Sequence, residues 1–268
     1  MPYVERDGVK LHYERRGAGD LELLFVPGWC CAGAAFAPQL DHFGASCAVT
    51  AADPRGCGRS DAPDGGYDIP SLADDLAALC TDVGIEKPVV IGHSLGGMVA
   101  VELAARYPDL VGAVVGVDPG PIHATPEAAA IYRGLAEQLA GPGGESVRRG
   151  FVQAAVQSPT IDDDVRDAMI ETMCAVPLRV AAELIRGGVA WNGAGAIALC
   201  DVPTLMLLAY PAKSNDAWRL LPLKPDLHYA MTVGSGHFNQ LEVPEQVNAI
   251  IERFLETAVR KSPLFATA

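Results

Sequence analysis

Pro88-Val89-Val90-Ile91-Gly92-His93-Ser94-Leu95-Gly96-Gly97 is the stretch that decides how the chain is read. An unbroken apolar run between Pro88 and Gly92 has the pattern of a strand buried on both faces. Met98 to Tyr107 then reads as a helix, with Val99, Ala100 and Leu103 on one side and Pro108 beyond its end. Between them Gly92-x-Ser94-x-Gly96 has the spacing of a nucleophile elbow. A turn that lifts a serine off a strand end forces it into strained backbone angles. Bulky residues two positions before and after would clash, and Gly97 lets the helix approach the strand. The turn also sets the serine oxygen at the positive end of the following helix, beside the amide of Leu95.

Working outward, strands alternate with helices. Tyr3–Glu5 and Lys10–Arg15 read as a hairpin turning at Asp7-Gly8. Leu21–Val26 is an apolar strand that leads into Pro27-Gly28-Trp29-Cys30-Cys31, and Ala48–Ala52 is a strand that leads into Asp53-Pro-Arg-Gly-Cys-Gly-Arg-Ser60. In that turn Asp53 and Arg55 are expected to pair with each other and with the backbone. Ser71 is placed to cap a helix running to Val83 with Leu72, Leu76 and Leu79 buried. Ala113–Val117 is the strand after the elbow helix and ends in Asp118. This alternation predicts a parallel sheet with right-handed crossovers.

From Pro121 to Cys200 the strand signal is absent and four helical patterns follow: Pro126–Ala140, Glu145–Gln157, Asp162–Cys174 and Pro177–Val189. Strands resume at Pro203–Ala209 and Leu227–Val233, the second leading into Gly236-His237-Phe238. A last helix starts at Pro244 with Val247, Ile250, Ile251 and Phe254 inward. The organisation expected is a core of residues 1–120 and 201–260, a helical insertion over 121–200, and an aperiodic, disordered tail over 261–268.

The 268 residues are 50% hydrophobic and 20% charged, a balance that suits one α/β domain with an insertion. A net charge of −13 argues against nucleic acid or an anionic membrane surface as a partner. No apolar run is long enough to span a bilayer, and the first residues lack a basic-then-apolar leader, so a cytoplasmic location is expected. Seven scattered cysteines form neither a disulfide framework nor a zinc site, and none occupies the elbow. No metal or other cofactor is implied. The oligomeric state is not readable.

Four landmarks in order, Pro27-Gly28-Trp29, the turn from Asp53 to Ser60, the elbow at Ser94 and Gly236-His237, make the chain resemble the capped, single-domain members of the α/β-hydrolase superfamily. The resemblance covers nearly the whole chain. It implies a mostly parallel sheet with helices on both faces and an inserted helical cap. It also implies that Ser94 is the nucleophile and His237, in a Gly-rich loop after a strand end, its base. The other histidines are His12, His42, His93, His123 and His228, and His93 is expected to pack, pointing away from Ser94. The backbone amides of Leu95 and Trp29 would form the oxyanion hole, although relatives usually have His-Gly where this chain has Pro27-Gly28.

The third member is a choice. In most relatives an acid lies about nine residues beyond the position of Pro203, which here is Ala212. Asp216 comes four residues later, and Asp201 lies at the wrong end of its strand. Asp118 ends the strand after the elbow helix, where the branch that includes haloalkane dehalogenases carries its acid, and it is the favoured candidate. His123, Tyr132, Phe151, Trp191, Trp218 and Phe238 are candidate pocket liners.

The activity implied is cofactor-independent hydrolysis of a small or medium carboxylic ester or lactone through an acyl-enzyme on Ser94, so the expected partner is a small-molecule ester-type substrate. Dehalogenation and epoxide opening fit poorly, because those enzymes use an aspartate at the elbow and a serine ether is not released by water. Other uses of the same triad are a hydroxynitrile lyase, for which Lys213 is the available lysine, a cofactor-free dioxygenase, a perhydrolase and a slow-turnover receptor.

Overall fold

The computed structural model describes residues 2–210, 217–262, 264 and 265, with the side chain of Ala217 set aside. Asp216 and Lys213 therefore lie outside the described residues. The chain opens with β1 (Tyr3–Arg6) and β2 (Val9–Arg16), antiparallel across Asp7 and Gly8. Both turn residues have positive φ, 53° and 78°, as a two-residue hairpin of this twist requires. Then follow β3 (Glu22–Val26), α1 (Ala37–Phe43), β4 (Ala48–Ala52), α2 (Ile69–Val83), β5 (Val89–His93), α3 (Leu95–Arg106) and β6 (Ala113–Val117). Five consecutive helices come next: α4 (Pro126–Ala140), α5 (Gly144–Ala155), α6 (Asp163–Ala175), α7 (Leu178–Ala190) and α8 (Gly193–Leu199). The sheet resumes with β7 (Thr204–Tyr210) and β8 (His228–Val233), and α9 (Asn239–Glu242) and α10 (Pro244–Phe254) follow.

The strands form one eight-stranded sheet in the order β1-β2-β4-β3-β5-β6-β7-β8, parallel from β4 onward. Side chains along a strand alternate between faces, so an unbroken apolar strand feeds two cores. Leu23, Phe25, Val89, Ile91, Leu205 and Leu207 pack with α1 and α10 on one face. Leu24, Val26, Val90, Met206 and Leu208 pack with α2, α3 and the cap helices on the other. The elbow strand β5 lies in the middle, paired with β3 and β6, so its carboxyl end meets those of both neighbours.

Several local expectations are corrected. Helix α2 begins at Ile69 and its cap is Asp68, whose carboxylate accepts from the amide of Ser71 at 2.9 Å; Ser71 sits inside the first turn and donates its hydroxyl to the same carboxylate. Helix α3 begins directly after Ser94 rather than at Met98, because the glycines of the elbow are themselves helical. The helical insertion between β6 and β7 has a fifth helix, α8, which Asn192 caps through the amide of Gly195. In α10 Val247, Ile251 and Phe254 are buried and Ile250 is only half-buried. Within the stretch expected to be a disordered tail, Phe265 packs against the second core, so close to Gly112 that a Cβ there would lie 2.3 Å from its ring.

Asp53 and Arg55 do not pair with each other. Arg55 is buried and grips Asp75 of α2 with two bonds, Nε to Oδ2 at 2.6 Å and Nη2 to Oδ1 at 2.5 Å, while Arg6 adds a third at 2.9 Å. Asp53 accepts from the amides of Gly33 at 2.8 Å and Arg59 at 3.0 Å and lies 3.0 Å from His12 Nδ1. Residues two apart in a tight turn diverge, and partners from other elements take up each charge. Removing one member of a buried pair strands the other, so Asp75→Ala should lower unfolding stability by about 3–5 kcal/mol. A denaturant midpoint within experimental error of the parent protein would refute this.

Candidate active site

The elbow's backbone is built by steric exclusion. Ser94 has φ 50° and ψ −118°, outside the regions that L residues favour, and stands at the N-terminus of α3 with no capping bond from its side chain. Its amide donates to Val117 at 3.2 Å, and its carbonyl accepts from Gly97 and Gly120 at 3.0 and 2.8 Å. A Cβ on Gly92 would lie 2.2 Å from the carbonyl oxygen of Gly96, and one on Gly96 would lie 2.1 Å from that of Val26. Both distances are inside van der Waals contact, so neither position admits a side chain.

Asp118 follows β6 with φ 36°. Its amide donates to the carbonyl of Leu207 at 2.7 Å, and its Oδ1 accepts from the amide of Ala209 at 3.2 Å. Its Oδ2 lies 2.6 Å from His237 Nδ1. Asp118 is buried, while the His237 side chain is about one third exposed, at 31%. A histidine whose Nδ1–H is taken by a carboxylate presents Nε2 as the basic nitrogen. His237 Nε2 has no protein partner among the described residues, and it shares a cavity with Ser94. Of the carboxylates weighed from sequence, Asp118 stands against His237 and Asp201 is exposed ahead of β7.

His93 does more than pack. Its Nε2 donates to the carbonyl of His237 at 2.9 Å, and its ring lies 4.7 Å from that of His237 and 4.8 Å from that of Phe238. Complete burial, reinforced by the neighbouring His237, pushes its pKa well below the usual range and keeps it neutral. Its Nδ1 is buried without a partner among the described residues. A Cβ on Gly28 would lie 2.9 Å from that Nδ1 and 3.1 Å from Ser94 Cβ, so only glycine lets the loop after β3 lie against the nucleophile turn.

In that loop the Cys31 thiol donates to the carbonyl of Trp29 at 3.4 Å. The amide of Trp29 has no partner among the described residues. Trp29 also lines the cavity and anchors the cap, its Nε1 donating to the carbonyl of Ala181 in α7 at 2.8 Å. Cys31 reaches the cavity too, but burial raises its thiol pKa far above the ordinary value, leaving a poor nucleophile.

The cavity measures about 110 Å3 and is lined by Ser94, His237, His93 and a mostly apolar surround that includes Met98, Tyr132, Phe151, Leu184 and Phe238. That is well above the roughly 10–15 Å3 needed to admit a single water, and it is on the scale of a small organic molecule. No charged Lys, Arg, Asp or Glu side chain lines it among the described residues. Of the expected liners, Tyr132, Phe151 and Phe238 are present. His123 is exposed, Trp218 is 49% exposed, and Trp191 donates to Glu102 at 2.7 Å away from the cavity. No group of three or more metal-ligating side chains is gathered among the described residues, and none of their helices is long and apolar enough to cross a membrane.

The profile of the alpha/beta hydrolase fold matches residues 23–242. Among curated proteins, the chain is 36% identical over 118 residues to 2-(acetamidomethylene)succinate hydrolase of Mesorhizobium japonicum, covering 44% of this chain and 42% of that one. It is 36% identical over 112 residues to the bifunctional esterase/perhydrolase DCH of Acinetobacter calcoaceticus, covering 41% of each. The matched stretch thus spans less than half the length of these relatives. Among solved structures, a thermophilic esterase from Thermogutta terrifontis superposes with a TM-score of 0.82 at 23% identity, covering 97% of this chain and 100% of that one. Est816, described as an N-acyl homoserine lactone degrading enzyme, superposes at 0.78 with 25% identity, covering 94% and 100%.

Proposed function

We propose, from the premise that the chain belongs to the alpha/beta hydrolase family, that it hydrolyses small, uncharged carboxylic esters or lactones through an acyl-enzyme on Ser94. The observation that carries this reading is the cavity that Ser94 and His237 share, lined mostly by apolar side chains and free of charged ones among the described residues.

In the first half-reaction His237 Nε2 takes the hydroxyl proton as Ser94 Oγ attacks the carbonyl carbon. The tetrahedral oxyanion is held by the amides of Leu95 and Trp29, each such donor being worth about 3 kcal/mol in a water-excluded site. Collapse breaks the ester C–O bond, and the proton on Nε2 goes to the departing alkoxide. Water then repeats the sequence: His237 takes its proton, the hydroxide oxygen bonds to the acyl carbon, and Ser94 leaves with the proton returned. Asp118 accepts Nδ1–H throughout and stabilises each imidazolium.

A carboxylate on the substrate would meet no counter-charge among the described residues lining this cavity, at a cost of several kcal/mol. The test compares p-nitrophenyl butyrate with p-nitrophenyl hemisuccinate, whose acyl group ends in a carboxylate. Expected are a burst of p-nitrophenol from butyrate, stoichiometric with enzyme, and a kcat/KM at least about 100-fold lower for hemisuccinate. Equal constants would overturn the uncharged-substrate reading. Failure to turn over any short ester, while a phosphonate still labels Ser94, would overturn hydrolysis itself.

A further inference from the structure

His237 is held by side-chain bonds to the backbone on both sides of it. The amides of Gly236 and Phe238 both donate to the carboxylate of Glu242, Phe238 to Oε1 at 3.0 Å, and the carbonyl of His237 itself accepts from His93. The same Glu242 carboxylate accepts two hydroxyls from the cap, those of Ser158 and Thr160, the second at 3.2 Å. Thr160 also reaches the carbonyl of Gly234 at 3.5 Å. Ser158 and Thr160 belong to the connection between α5 and α6, far from the sheet in sequence. Glu242 is only 6% exposed, and no cationic side chain pairs with it among the described residues. Its fit against the loop is tight: a Cβ on Gly236 would lie 3.0 Å from Oε1.

A buried carboxylate without a counter-ion is costly unless donors surround it, and hydrogen bonds to a charged acceptor are the strong ones. Here the donors come from two separate bodies, the histidine loop and the cap. We propose that Glu242 is a positioning residue that couples the seating of the cap connection Ser158–Thr160 to the placement of His237. The inference rests on the reading of His237 as the base. The amides fix the peptide planes flanking His237, and the hydroxyls complete the shell that keeps the carboxylate there. Loss of the cap's two donors leaves part of a buried charge unsatisfied, and the carboxylate then moves toward water and takes the loop with it. The cap is thus more than a cover, since its docking sets the geometry of the catalytic histidine.

The experiment is steady-state hydrolysis of p-nitrophenyl butyrate by the full chain, with kcat normalised to the Ser94 population titrated by a phosphonate. Glu242→Gln keeps the shape but turns one acceptor into a donor. Its kcat per active site should fall about 100-fold with KM within about twofold, the consequence of a small misplacement of a reacting group. Ser158→Ala/Thr160→Val removes only the cap donors at half-buried and exposed positions, so it should fold and lose kcat in the same direction by less. The triple variant should lose no more than Glu242→Gln alone, since the three side chains act as one unit.

A kcat for Glu242→Gln within twofold of the parent overturns the proposal. So does an unchanged kcat in the cap pair, or a triple variant whose losses multiply. A merely structural role would lower the titratable fraction and leave kcat per site intact. His237→Ala keeps the two readings apart: an inactive variant leaves the base assignment standing whatever Glu242→Gln does, and an active one removes both.

Discussion

Ser94→Ala is expected to reduce kcat for p-nitrophenyl butyrate by roughly 10^5- to 10^6-fold and to abolish phosphonate labelling. The size of the effect follows from the elbow. Its backbone angles, φ 50° and ψ −118°, are held by hydrogen bonds with Val117, Gly97 and Gly120 and by the close approach of the elbow glycines rather than by the serine hydroxyl, which caps nothing. Alanine can occupy the same turn, so the substitution deletes the proposed nucleophile and little else. The melting temperature should stay within about 2 °C of the parent, the shift expected for a change of a few tenths of a kcal/mol. Residual turnover above one part in a thousand would point to another nucleophile. Cys31 is the thiol that lines the cavity, and its raised pKa speaks against that role.

Asp118→Asn should cost about 10^4-fold in kcat. With a carboxylate at 2.6 Å, His237 Nδ1 carries the proton and Nε2 is basic. An amide that turns its NH2 group toward Nδ1 reverses the tautomer, placing the proton on Nε2 and leaving Ser94 with no base. The surroundings favour that outcome over unfolding. The main chain of residue 118 stays pinned by the bond to Leu207 at 2.7 Å, and asparagine tolerates a φ of 36° better than most residues. Asp216→Asn is the companion measurement and should leave kcat within about threefold of the parent. If Asp118→Asn is nearly as active as the parent and Asp216→Asn collapses, the acid lies in the segment after β7 and the charge relation at Asp118 is structural.

The apolar run, the two glycines flanking Ser94 and the helical pattern after it all lie between Pro88 and Tyr107, so the elbow is a local fact that one stretch of sequence states in full. The same holds for the hairpin at Asp7-Gly8, where two positive φ values are needed and the two residues most tolerant of them stand in order. The strand and helix alternation, and with it the parallel sheet, follows from periodicities that record burial. Gly-rich helices are where that record fails. The first turn of α3 carries Gly96 and Gly97 and the short α8 carries Gly193 and Gly195, so each shows little of an amphipathic face, and packing holds those glycines helical against their propensity.

What the sequence determined by itself was the set of local geometries: the elbow, the turns, the strands that end near it and the insertion of helices between two of them. The tertiary structure alone decided the pairings. Arg55 takes Asp75 rather than its near neighbour Asp53, His93 reaches the carbonyl of His237 across 144 residues, and Ser158 meets Glu242 across 84. The physical reason is range. Backbone propensity and hydrophobic period act over one or two turns and leave a repeating trace in the chain. A hydrogen bond between distant residues depends on where a folded sheet and its cap bring them, and leaves no trace in the residues on either side.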